Sequence, residues 1–359
     1  MRETRKAILT LQDGTTFEGK SFGAIKACAG EVVFTSSMTA YPECLSDPST
    51  VGQILVSTYP IMGSYGMPPQ TQTDGVCDFF ESPDFHPLAV VCLDYSAEFN
   101  HWNAAGGLVP WLVDNGIVAV YGIDTRALAK HLRENGAMLG KIEIEGAEPA
   151  ELSDPNQQNL IAATSCDKVI EYGKENPKRV VLVDCGVQHS MIRSLVAKGA
   201  HVIRVPWNYN FMGMDYDGII VSNGPGDPRM ATATVDILKE AIKQDKPVCG
   251  VGLGNLLVGM AAGATVVKLK NGHRGHNQPV REIGTDRCFI TTQNHGYALD
   301  VTSLGCDWEP AYISMNDGTN EGIRHKSKPF FATQFIPEQF GGEADSGFVY
   351  DKFLNSFNK

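Results

Sequence analysis

The chain has 359 residues, enough for two domains that each bury a core, and its 43% hydrophobic and 20% charged residues describe an ordinary globular protein. A net charge of -11 argues against a nucleic-acid partner, because phosphate binding needs a basic face. The basic opening MRETRK is not followed by an apolar run, so no secretory signal is expected, and no stretch reaches the roughly 18 apolar residues of a membrane span.

Residues 1–150 alternate short β-rich runs (AILTLQ, EVVFTS, QILVSTYP, LAVVCLDY, GIVAVYG) with a few helical stretches. The clearest helix runs from Thr125 to Asn135, with Asp124 or Thr125 as its cap and Gly136 as its stop. Residues 151–178 are polar and turn-rich and read as a linker. From Arg179 strands and helices alternate: RVVLVDCG, SMIRSLVAKGA, HVIRVPW, DGIIVSNGPGDP, ATVDILKEAIKQ, PVCGVG and NLLVGMAAGA. That order predicts a parallel sheet covered on both faces, with ligands at the carboxyl ends of its strands. Both SNGPGDP (222–228) and GVGLGN (250–255) fall at such ends. No repeat or low-complexity segment is visible.

The nine cysteines are scattered and form no CxxC pair, so they suggest neither a zinc site nor a disulfide framework. They read as reduced thiols of a cytoplasmic protein. In SNGPGDP two glycines flank a proline, so backbone N–H groups there either approach a ligand or form a tight loop without one. PVCGVGLGNLLVGM has the strand, sharp turn and helix with which α/β enzymes raise a Ser or Cys nucleophile. Its apex, Gly252, has no side chain.

Taken in order and spacing, these segments resemble a known family. Residues 179–359 are similar to class I (triad) glutamine amidotransferases, through GVGLGN, QNHGYALD and FFATQFIPEQF. The first half resembles the amino-terminal domain of the small, glutamine-hydrolysing subunit of carbamoyl-phosphate synthetase. LQDGTTFEGKSFG, AGEVVF, YPECLSDPS, YGIDTRALAKHLRENG and MLGKIE carry that likeness, and DPNQQNLI, VPWNYNF and HRGHNQPV continue it. The resemblance runs nearly end to end and implies an α/β protein: a β-rich α/β first domain, then a flavodoxin-like amidotransferase domain with a parallel sheet. It also implies that the chain stops where the small subunit stops.

In the family a cysteine at the elbow attacks glutamine, a histidine moves protons and a glutamate orients it. The ammonia released passes through a tunnel to a large synthetase subunit. ATP and Mg belong there, so the resemblance implies no cofactor and no metal in this chain. Carried over residue by residue, the nucleophile position is Gly252 and the histidine position is Ile336; the glutamate remains as Glu338. The elbow also departs at Asn255, where the family has His, and at Leu256, where it has a substrate-contacting Gln. The glutamine pocket carries over onto Ser49, Gly224, Gly226, Leu253, Asn294, Gly296 and Tyr297, with backbone N–H groups of Leu253 and Gly224 as the oxyanion hole. The expectation is a glutamine mould without its chemistry. Glycine accepts the strained apex conformation once a nucleophile is not needed. Ammonia-dependent synthetases that have lost the nucleophile are the nearest comparison.

Cys249, three residues before the apex, should point into the core, and His295 matches a family histidine that is not the base. His273 and His276 suggest a metal pair only superficially, since no third ligand is evident nearby. The reading is a small-subunit component of a carbamoyl-phosphate synthetase serving arginine or pyrimidine synthesis, with the large synthetase subunit for its partner and its own glutaminase silent. Alternatives are a glutamine hydrolase with a displaced nucleophile such as Cys249 or His295, and a stand-alone module that binds glutamine or ammonia.

Overall fold

The computed structural model describes residues 4–338 and 345–358. The chain divides into two compact units, one made of residues 1–73 and 77–157, the other of residues 74–76 and 158–359. The segment expected to be a linker is therefore not one throughout. Residues 158–178 hold the helix Leu160–Thr164 and the edge strand Ile170–Tyr172, and Ile161 and Tyr172 are buried in the second unit's core.

The first unit is a closed barrel whose strands run in the spatial order Lys6–Leu11, Met138–Ile144, Cys28–Thr35, Gln53–Ser57, Ala89–Val91, Val118–Tyr121 and Thr16–Ser21. Alternation along Lys6–Leu11 sends Ala7, Leu9 and Leu11 inward, where they meet Val32, Ile54, Val120 and Ile142. The helix Thr125–Asn135 forms where expected: Asp124 Oδ1 accepts the Ala127 N–H at 2.9 Å, and the chain leaves at Gly136 with φ 96°.

The second unit is built on a ten-stranded sheet. Its parallel part runs, in space, Ala200–Pro206, Lys178–Asp184, Gly218–Val221, Val248–Val251, Phe330–Thr333. In chain order that is 2-1-3-4-5, the flavodoxin-like order. Successive residues feed opposite faces: Val181 and Val183 join one core with Ile219 and Leu257, while Val180 and Leu182 join another with Ile220 and Phe331. Burial on both faces explains why these strands read as continuous apolar runs. Beyond Phe330–Thr333 the sheet continues antiparallel through Asn320–His325, Trp308–Ser314, Thr265–Glu282 and Cys288–Asp300. Among the described residues no helix is long and apolar enough to cross a membrane.

Candidate functional site

The strand order reverses between Lys178–Asp184 and Gly218–Val221, and the loops that follow them hold the first part of the site. Asp184 is fully buried and organises its loop: it accepts the N–H groups of Gly186, Val187 and Cys166 and pairs with Arg204 at 2.7 Å. The SNGPGDP loop packs directly on it. A Cβ at Gly224 would lie 1.9 Å from the Cys185 carbonyl oxygen, so only glycine fits. Gly226 turns the chain with φ 80°.

The elbow follows the next strand of the sheet. Gly252 comes after Val248–Val251 and caps the helix Leu253–Ala261 with φ 58° and ψ -115°, a conformation that strains any side chain. Its N–H donates to the Thr333 carbonyl at 2.8 Å. Three residues after Thr333, Ile336 bridges to Thr292, donating its N–H at 2.9 Å to that residue's carbonyl. The elbow and the Ile336 loop therefore leave neighbouring strand ends. Glu338, half-buried, follows two residues later.

What fills the apex is the side chain of Asn223. Its Oδ1 accepts the Leu253 N–H at 3.0 Å, and a Cβ added at Gly252 would fall 2.2 Å from that same oxygen. Asn223 thus occupies the space of a nucleophile's side chain and engages one of the two expected oxyanion donors. A second amide fixes the turn from the other side: Asn255 Nδ2 donates to Gln334 Oε1 at 2.8 Å, and Gln334 Nε2 donates to the Gly252 carbonyl at 3.2 Å. Asn255 replaces the family's histidine with a fully buried clamp.

The remaining expected site residues divide. Leu253 and Leu256 are 4% and 2% exposed and belong to the apolar core, so Leu256 is a packing residue here. Asn294, Gly296 and Tyr297 lie on Cys288–Asp300, with Asn294 opposite Arg274 and the Tyr297 ring beneath the Arg229 guanidinium at 6.0 Å. Ser49 lies in the first unit, where its N–H is held by Asp47 Oδ1 at 2.9 Å. Cys249 is fully buried, and burial pushes its thiol up to about 12.

Among the described residues, the cluster of metal-capable side chains around His273 does not include His276. Burial drives His276 down to about 4, which keeps it neutral. His273 instead meets His295 and Glu321, a carboxylate that strand pairing brings in from a distant part of the sequence. Burial alone would lower His273, but Glu321 and Asp317 outweigh it and raise the ring to about 9. Asn223 stands inside SNGPGDP, a motif in which the glycines dominate the pattern. Gln293, Gln334 and Glu321 have no spacing signal, since strand pairing brings them in.

Residues 181–356 match the family described as Glutamine amidotransferase class-I, and residues 9–142 match Carbamoyl-phosphate synthase small chain, CPSase domain. The human protein named Carbamoyl-phosphate synthase [ammonia], mitochondrial, is 45% identical over 361 residues, which is 99% of this chain and 24% of that one. The chain thus spans about a quarter of that relative's length. The Carbamoyl phosphate synthase arginine-specific small chain of Emericella nidulans is 41% identical over 368 residues, covering 100% of this chain and 81% of its own. Among solved structures, a glutamine amidotransferase from Thermotoga maritima aligns with a TM-score of 0.38 and 17% identity over 44% of this chain and 75% of that one. With two matching domains in the same order and a small chain matched over most of its length, this chain belongs to the carbamoyl-phosphate synthase small-chain family.

Proposed function

We propose that the chain is the small-subunit component of a carbamoyl-phosphate synthetase and that its own glutaminase is silent, so that a large subunit, where ATP and Mg bind, takes free ammonia. One observation carries the silence: at the family's nucleophile position stands a glycine whose side-chain space holds Asn223 Oδ1, bonded to the Leu253 N–H. No group there attacks an amide, and that donor is engaged elsewhere. Ile336 at the base position moves no proton. In a well-studied hydrolase triad the loss of nucleophile and base costs on the order of a million-fold in rate. The human relative's name specifies ammonia, which supports the same reading.

The displaced-nucleophile alternative meets a physical obstacle. Cys249 is inside the sheet with its thiol protonated at neutral pH, and His295 donates Nδ1–H to the Tyr297 carbonyl, within a buried polar cluster. The test is to purify the tagged chain with whatever it binds and assay carbamoyl phosphate with ammonia against glutamine. A large subunit should co-purify, ammonia should support synthesis, and glutamine should not. Glutamine hydrolysis near one per second, abolished by Cys249→Ala, overturns the reading.

A further inference from the structure

Three antiparallel strands of the second unit bring four donor side chains to one buried point. Thr265–Glu282 supplies His273, Cys288–Asp300 supplies Gln293 and His295, and Asn320–His325 supplies Glu321. His273 and His295 are opposite each other in register, with ring centroids 4.9 Å apart. His273 Nδ1 lies 2.8 Å from Glu321 Oε1 and 3.0 Å from Gln293 Oε1. His295 Nε2 lies 3.2 Å from Gln293 Oε1 and 3.7 Å from Glu321 Oε2. The Glu321 side chain has no solvent exposure, and its Oε2 makes no hydrogen bond among the described residues.

The hydrogen-bond polarity at this point is unusual. His295 Nδ1 lies 2.9 Å from the Tyr297 carbonyl oxygen, which only accepts, so Nδ1 carries the ring's proton. His273 Nε2 lies 2.9 Å from Asp317 Oδ2, which places a proton there. The Gln293 amide is oriented by its own bond: Nε2 donates at 3.1 Å to Thr291 Oγ1, whose hydroxyl donates onward to the Gln278 carbonyl at 2.9 Å. Gln293 Oε1 therefore faces the rings. One N–H of each ring is spent on an outer acceptor, and the two inner nitrogens face three oxygens that have only lone pairs. Such a convergence calls for positive charge at its centre. A second proton on His273 serves Glu321 Oε1 and Gln293 Oε1 but leaves Glu321 Oε2 facing His295 Nε2 at 3.7 Å with no hydrogen bond among the described residues, whereas one divalent cation serves all of these atoms.

We propose that His273 Nδ1, His295 Nε2, Gln293 Oε1 and the Glu321 carboxylate form a closed site for one zinc-class divalent cation. Zinc bonds of about 2.0–2.1 Å set tetrahedral ligand separations of about 3.3–3.4 Å. The donor separations found here run from 2.8 to 3.7 Å, on both sides of that value, with Glu321 offering Oε1 to His273 and Oε2 to His295. Imidazole nitrogen with oxygen donors suits zinc better than magnesium or calcium. Both rings also have the outer partner usual for a metal-bound histidine, a carboxylate for His273 and a backbone carbonyl for His295. The cation would tie the strand that carries Asn294, Gly296 and Tyr297 to Thr265–Glu282 and Asn320–His325. None of the four ligands belongs to the elbow, so the inference does not depend on the glutaminase being silent.

The experiment uses the full chain, stripped with a chelator and titrated separately with Zn2+ and Co2+. One equivalent of Zn2+ should be retained through desalting and should raise the thermal midpoint. His295→Gln and Glu321→Gln should each weaken binding at least ~10-fold, the scale already lost when only outer partners are changed. Co2+ should give the strong visible band of a four-coordinate site without thiolate charge transfer, which separates it from the cysteines. Absence of bound Zn2+, unchanged binding in both variants, or a thiolate band overturns the proposal. If either variant fails to fold, the Co2+ spectrum of the unsubstituted chain decides.

Discussion

A side chain at position 252 must accept φ 58° and displace Asn223. Gly252→Ala should therefore lower stability by about 1–3 kcal/mol, measured by chemical denaturation. Adding Asn223→Ala should return part of that loss by clearing the space, a coupling that a double-mutant cycle would detect. Gly252→Cys with Ile336→His supplies a thiol and an imidazole at the positions proposed for nucleophile and base, but Asn223 still holds the Leu253 N–H, so glutamine turnover should stay weak until Asn223 is also changed. His189, 4% exposed, gives a pH test: burial first, then Arg204 and Arg193, lower it from 6.5 to about 4. Its neutral form is native, so its contribution is complete above pH 6.5 and is lost as pH falls from 6.5 towards 4. That loss should be of order 2–3 kcal/mol and should shrink in His189→Asn. Sequence makes the elbow positions legible because their spacing is local. Asn223 is not legible, because its role depends on what is absent from a neighbouring strand.

The helix Leu253–Ala261 is buried from Leu253 to Gly259, so its apolar run faces the core on every side. Leu256→Gln, which sequence alone would suggest as a repair of glutamine recognition, instead places an amide in that core. It should cost about 2–3 kcal/mol in unfolding experiments, and any gain in turnover should be masked at temperatures where the variant melts. The parallel strands are readable because burial on both faces leaves uninterrupted apolar runs. The hairpin of Thr265–Glu282 and Cys288–Asp300 is not. Its register shifts between Lys268 and His273 and again between Gly275 and Gln278, which breaks the two-residue alternation that marks a strand. The segment 158–178 escapes for another reason: its elements are one short helix and one three-residue edge strand, too brief for periodicity to register.

Across the whole molecule, contacts rather than chain order decide what belongs together. Residues 74–76 lie inside the first half of the sequence yet belong to the second unit, where Val76 packs with Tyr172, Val180 and Leu182. Val76→Asp should accordingly lower the unfolding midpoint of the second unit, read by protection of its amides in hydrogen exchange, and leave the barrel's amides unchanged. No sequence pattern flags such an insertion, since a three-residue excursion has no period. The same core also takes Val349, Tyr350, Phe353 and Leu354 from the helix near the carboxyl end. Its members thus span residues 76 to 354, and closing so long a loop carries an entropic cost before any contact repays it. During synthesis the barrel is free to fold while later residues are still being made. The second unit has no such head start: its oldest core residue waits for its youngest, and assembly finishes only after residue 354 has left the ribosome.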